Sequence, residues 1–108
     1  LTFEFYTEIP DLGDALEQEL RAEADSRLRA LAADHTDVTG VSVALEQPAH
    51  GESAYLYQAR VVVYVRPEHV AATEKGADLH STLKGAFDAV ERQVRERREK
   101  LAERWKQP

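Results

Sequence analysis

DLHSTLKGAFDAVERQVRERREKLAERW, residues Asp78 to Trp105, reads as one long helix. Leu79, Leu83, Phe87, Val90, Val94, Leu101 and Trp105 recur at gaps of three, four and seven, which keeps one apolar stripe on one side of an α-helix. Asp78 is placed to cap its first turn, because a carboxylate there accepts from backbone N–H groups that have no partner within the helix. From Ala89 to Pro108, seven Lys/Arg (Arg92, Arg95, Arg97, Arg98, Lys100, Arg104, Lys106) stand against four Glu. The rest of the chain has to cover the stripe and leave those cations outside. A helix of this length is roughly 40 Å long, whereas a short strand spans only about 23 Å. The last turns therefore overhang any sheet beneath them, and Leu101 and Trp105 need cover. Either Leu28 and Leu31 of the same chain supply it, or a second copy does, in a homodimer anchored by Trp105.

Outward from this helix, period-two patterns take over. His69 to Glu74 reads as a short strand, and Lys75-Gly76-Ala77 as the turn into the helix. Before it, Tyr55, Tyr57, Ala59, Val61, Val63 and Val65 alternate with Leu56, Gln58, Arg60, Val62, Tyr64 and Arg66 in a long strand that Pro67 stops. Val41, Val43 and Leu45 mark another strand, ended by Gln47-Pro48, and the Gly51-containing turn over Ala49–Ser53 makes the two a hairpin. Asp34 to Gly40 is a polar connection. Leu12, Leu16, Leu20, Ala24, Leu28 and Leu31 predict an amphipathic helix from the Pro10-Asp11 break to about Ala33. At the start, Phe3, Phe5, Thr7 and Ile9 alternate with Thr2, Glu4, Tyr6 and Glu8 in a half-buried strand.

The order is β-α-β-β-β-α, an α+β fold with a four-stranded mixed sheet. The helix between the first two strands makes them a parallel pair with a right-handed crossover, and the later strands form an antiparallel meander. Both helices then lie side by side on one face. The other face, carrying Glu4, Tyr6, Glu8, Glu46, Gln58, Arg60, Tyr64 and Arg66, is left to water.

A chain of 108 residues has room for one core, so residues 1–108 read as a single domain, possible in isolation or as the N-terminal domain of a longer protein. Its 43% hydrophobic and 31% charged residues are those of a globular protein, and no stretch is apolar enough for a membrane helix. LTFEFYTEIP has no basic n-region or small-residue cleavage site, so a cytoplasmic address is expected, and Leu1 in place of Met reads as a boundary rather than a translation start. The absence of Cys excludes disulfides, thiolate metal sites and Cys nucleophiles. The net charge of −6 divides unevenly: residues 1–77 hold six Lys/Arg and fourteen Asp/Glu, while residues 78–108 hold eight and six. An acidic chain with one basic segment binds polyanions, if at all, through a local patch.

Little else carries chemistry. His35, His50, His69 and His80 are scattered, with no i,i+4 pair to ligate a metal. Ser42, Ser53 and Ser81 lack a nucleophile-elbow context, and Gly40, Gly51, Gly76 and Gly85 are isolated, so no phosphate-cradling loop, cofactor or small-molecule substrate is indicated. Carboxylates on the helices read as solubilising and i,i+4 partners, as with Glu91–Arg95. Tyr6 and Tyr64 on the open sheet face have the chemistry to stack bases, but acidic neighbours Glu4, Glu8 and Glu46 oppose it.

The element order, the Glu8-Ile9-Pro10 step into the first helix, and Ala77-Asp78-Leu79-His80-Ser81-Thr82-Leu83 leading to Val90-Glu91-Arg92-Gln93-Val94 together resemble the ribosome hibernation promoting factor family. The same family is known as ribosome-associated inhibitor A, protein Y and sigma-54 modulation protein. Ala24-Asp25 followed by Arg27-Leu28 and Leu31 is similar to the end of the family's first helix. The resemblance implies a non-enzymatic protein that binds the small ribosomal subunit and its 16S rRNA in the channel used by mRNA and tRNA, silencing translation in stored 70S or 100S particles. Carried onto matching positions, it implies rRNA contacts at Arg27 and Arg29 of the first helix and Lys84, Arg92, Arg95 and Arg98 of the second. The chain departs from the family in having few Lys, Ala32-Ala33 after Leu31, and Asp88, Glu91 and Glu99 among its arginines. Nearby carboxylates subtract from phosphate affinity, although Arg binds phosphate bidentately and a few suffice. The alternative is a protein–protein module of the same fold that dimerises through the C-terminal helix without binding rRNA.

Overall fold

Alternation at the N-terminus is realised as strand β1 (Thr2–Glu8), with Phe5 buried and Tyr6 exposed on its opposite sides. Helix α1 (Asp14–Asp34) follows, then β2 (Val38–Glu46), β3 (Tyr57–Val65), β4 (Val70–Gly76) and helix α2 (Leu79–Lys106). The computed structural model describes residues 1–10, 12–47, 56–66 and 68–106, with side chains as far as Lys100. The expected turn over Ala49–Ser53, the strand start at Tyr55, the stop at Pro67 and the cover of Leu101 and Trp105 lie outside the described residues.

The sheet order is β1-β2-β3-β4, with β1 parallel to β2 and the remaining pairs antiparallel. This is the α+β arrangement of a mixed four-stranded sheet under two helices that the element order predicts. Val41, Val43 and Leu45 of β2 meet Val63, Val61 and Ala59 of β3 on the covered face, all essentially without solvent exposure. Helix α1 packs on β2 through Leu20, Ala24, Leu28 and Leu31, and α2 on β3 and β4 through Leu79, Leu83, Ala86, Phe87, Val90 and Val94. Burial of a Leu or Phe side chain contributes about 1.5–3 kcal/mol, so these stripes fix how each helix seats.

Boundaries among the described residues differ from the sequence reading by two residues or more at three places. Helix α1 begins at Asp14, not at Pro10-Asp11: extended Gly13 precedes it, the Glu17 N–H donates to the Gly13 carbonyl at 3.0 Å, and Leu12 packs on the core before the helix starts. Strand β2 begins at Val38, so the connection shrinks to His35–Asp37, and a register irregularity between Val38 and Gly40 absorbs the change. Lys75 and Gly76 are not a turn but the end of β4, because Gln58 and Tyr57 of β3 still face them. The turn into α2 is therefore Ala77-Asp78, and the Asp78 carboxylate accepts from the Ser81 N–H at 2.9 Å as a helix cap.

Candidate nucleic-acid interface

Both helices run in the same direction. Glu19 and Glu23 of α1 stand 3.6 Å from the His80 ring nitrogens of α2, Arg27 meets Asp88 and Glu91, and Asp37, just past α1, meets Arg98. Each step along one helix advances along the other, so a ladder of polar contacts closes the seam, with guanidinium–carboxylate pairs at Arg27 and Arg98 and an ion pair at His80 only where its ring is protonated. A parallel pair gains nothing from its helix dipoles, and the ladder supplies an attraction across the seam that those dipoles do not.

The sequence-derived contact residues fall into two groups around this seam. The Arg27 side chain is only 23% exposed; its Nε donates to Glu91 at 2.9 Å, one Nη donates to Asp88 at 2.5 Å, and its guanidinium lies 5.6 Å from the centre of the Phe87 ring. Burial alone would lower the Arg27 pKa, but hydrogen bonds to Asp88 and Glu91 hold it above its ordinary value. Arg98 is likewise bound to Asp37, whose carboxyl, despite partial burial that would raise it, is held below the usual range by that contact. The pairing of Glu91 with Arg95 expected from their i,i+4 spacing does not form, because Glu91 turns across the seam and gives both carboxylate oxygens to Arg27.

Arg29, Lys84, Arg92 and Arg95 are exposed. Arg29 lies two positions from Arg27, about 200° round α1, so it points away from the seam, where its Nε donates to Asp25 at 3.0 Å. Arg92 lies on the side of α2 opposite Leu83, Val90 and Val94, whereas Lys84 and Arg95 lie on the flank that also carries His80, Asp88, Glu91 and Arg98. Arg92 is 4.0 Å from Glu96, and neither Lys84 nor Arg95 has an ion pair among the described residues. Arg95 also borders a cleft of about 200 Å³ between the helices with Leu31, Asp34, His35 and Glu91. Arg97, within the apolar stripe by its position, reaches back over the sheet edge to the Glu68 carbonyl.

On the other side of the sheet, the Glu4 carboxylate accepts from the Tyr6 hydroxyl at 2.6 Å and the Tyr64 hydroxyl at 3.0 Å. These bonds, Tyr6 first, hold Glu4 below the usual carboxylate range. Both hydroxyls are thereby tied to an anion, and Tyr64 packs edge-on to His69 at 5.0 Å, which leaves this face poorly suited to base stacking. Among the described residues no group of three or more His, Asp or Glu is arranged to hold a metal ion, and no helix is long and apolar enough to cross a membrane.

What the sequence could not reveal is which cations are committed. Arg27 and Glu91 are 64 positions apart, and no local spacing foretells their contact. Only the shared face of Arg27 and the α1 stripe hinted that it sits near the partner helix.

A family model described as "Sigma 54 modulation protein / S30EA ribosomal protein" matches residues 7–102. No curated protein sequence matches the chain. Among solved structures, the fold is similar to a ribosomal subunit interface protein from Coxiella burnetii, with a TM-score of 0.68 at 12% identity, over 90% of this chain and 97% of that one. It is also similar to the N-terminal domain of Protein Y from Thermus thermophilus, with a TM-score of 0.63 at 21% identity, over 86% of this chain and 93% of that one. At such identities the structural likeness concerns the fold.

Proposed function

The chain belongs to the sigma 54 modulation protein / S30EA ribosomal protein family, and from that premise we propose that it is a cytoplasmic, non-enzymatic ribosome-binding factor whose residues 1–108 act as one domain. It occupies the mRNA and tRNA channel of the small subunit, contacts 16S rRNA through its helices, and silences translation in dormant ribosomes. Its structural neighbours, a ribosomal subunit interface protein and the N-terminal domain of Protein Y, support the partner. The observation that carries the reading is the exposure of Lys84, Arg92 and Arg95 on α2, where neither Lys84 nor Arg95 has an ion pair among the described residues.

In this reading Lys84, Arg92 and Arg95 contact phosphates directly and Arg29 adds a contact on the flank of α1. Arg27 and Arg98, placed by resemblance in the same set, reach rRNA only by giving up Asp88, Glu91 or Asp37, and they act chiefly as braces. Phosphate contacts supply most sequence-independent affinity, so exposed guanidinium groups count for more than paired ones. Co-sedimentation with purified ribosomes at low and moderate salt tests the proposal. Arg92→Glu combined with Arg95→Glu abolishes pelleting without unfolding the protein, and a wild-type chain that stays in the supernatant even at low salt refutes the reading.

A further inference from the structure

The open face of the sheet is divided by charge. Reading across the strands, one row is Glu4–Ser42–Val62–Ala71, the next Tyr6–Ala44–Arg60–Thr73, and the last Glu8–Glu46–Gln58–Lys75. The β1–β2 half carries Glu4, Glu8 and Glu46 and no cation; the β3–β4 half carries Arg60 and Lys75 and no carboxylate, with Arg66 just beyond β3. Glu8 and Glu46 are direct register partners, an arrangement of like charges that costs stability, and among the described residues no cation neutralises them. Between the two halves, the central strands present Ser42, Ala44 and Val62, with Arg60 beside Ala44 and Tyr64 reaching across from β3 to Glu4. Two of the three most exposed large hydrophobic residues border these strands: Tyr6, 55% exposed, and Leu56, 49% exposed and in phase with Gln58 and Arg60.

We propose that this face is a docking surface for a second copy of the same chain, joined face to face about a two-fold axis parallel to the strands. The charge division selects that axis. Rotation about it keeps each row at its own height and exchanges the two halves, so Glu8 meets the partner's Lys75, Glu46 meets the partner's Gln58 and Ala44 receives the partner's Arg60. An in-plane axis across the strands would instead set acid on acid. Strand directions are preserved, which gives the aligned stacking of two sheets about 10 Å apart seen in sandwiches. The contact is isologous and closes at two copies. Four strands of this length present a projected face of about 450 Å², so two faces together fall short of the roughly 1,200–2,000 Å² of a stable complex. The dimer is therefore weak and concentration-dependent. Its outer surfaces are the two helical layers, so dimerisation and the helix-borne reading above use opposite sides and stand or fall separately.

Sedimentation equilibrium of the full chain at low salt, up to about 1 mM, reads the association. One variant, Arg60→Glu with Lys75→Glu, makes both halves acidic; another, Glu8→Lys with Glu46→Lys, makes both basic. Each alone is expected to weaken self-association about tenfold or more, and an equimolar mixture to recover it as a heterodimer. Both variants keep a negative net charge, so attraction in the mixture reports the faces and not the whole molecules. Circular dichroism checks that each is folded; a variant that does not fold is replaced by its single substitutions, read the same way. A wild-type chain that is monomeric throughout, charge variants that dimerise like wild type, a mixture that stays monomeric, or a dimer that only Trp105→Ala removes would each overturn the proposal.

Discussion

Arg27 joins two helices through three hydrogen bonds to two carboxylates, in a site where water reaches under a quarter of its side chain. Replacing it by Gln removes the guanidinium from above Phe87 and leaves Asp88 and Glu91 adjacent without their shared cation. Truncating one partner of a partly buried charged cluster costs more than the pair itself contributes, because the remaining charges stay desolvated. Arg27→Gln should therefore lower stability by about 1–2 kcal/mol in urea denaturation, with ribosome co-sedimentation reduced far less than by Arg92→Glu with Arg95→Glu. A loss of pelleting without any loss of stability would instead make Arg27 a direct contact. Titration of the carboxylates gives a second outcome at this scale. Glu4, Asp37 and Asp78 are all held below their ordinary values in the folded chain, by Tyr6 and Tyr64, by Arg98 against the opposing effect of burial, and by the Ser81 N–H respectively. A carboxylate of lowered pKa stabilises the fold above its unfolded value and loses that contribution as pH falls through the folded one. Thermal melts should thus be flat from neutral pH down to about pH 5 and fall below about pH 4. Asp37→Asn should flatten part of that acid limb while lowering the melting temperature at pH 7.

Helix α2 was legible nearly whole, since its stripe and its cap depend on residues three and four apart, and the buried Leu79, Leu83, Phe87, Val90 and Val94 are those the pattern selects. Alternation likewise exposed the inward faces of β2 and β3. What local spacing does not encode is where pairing stops. Gly76 reads as a turn residue, yet it ends a strand, because the Thr82 side chain packs where a Cβ would project. Gly40 reads as the end of a loop, yet it sits inside β2 with the backbone of Thr2 pressed against its missing side chain. Which candidate cations are committed to a carboxylate could not be read from the sequence, since commitment is a property of the seam between α1 and α2. Gly40→Ala tests the strand reading: its Cβ would overlap the Thr2 carbonyl, which belongs to backbone and cannot rotate aside. The substitution should cost about 1–3 kcal/mol in chemical denaturation, and a neutral result would mean that β1 moves away from β2 without loss. Asp78→Ala removes the cap of α2, and a lower melting temperature is the expected outcome.

At the scale of the whole molecule, long-range charge opposes the proposed partner while one face favours it. The net charge of −6 repels a polyanion over a range set by the Debye length, which lengthens as salt falls, so approach is not steered by the total charge. Affinity must come from phosphates close to Lys84, Arg92, Arg95 and Arg29, because Arg27 and Arg98 are already held by Asp88, Glu91 and Asp37. This makes the salt dependence of binding a count of the residues involved. Each phosphate neutralised on a single strand contributes about −0.7 to the slope of log K against log salt concentration. The four contacts at Lys84, Arg92, Arg95 and Arg29 predict a slope of about −3, whereas a set that also enlisted Arg27 and Arg98 would give about −4. Co-sedimentation across a salt series measures it. The steeper slope would mean that the seam opens on the ribosome, with Asp37, Asp88 and Glu91 losing their partners, and Arg27→Gln would then flatten the slope instead of leaving it unchanged.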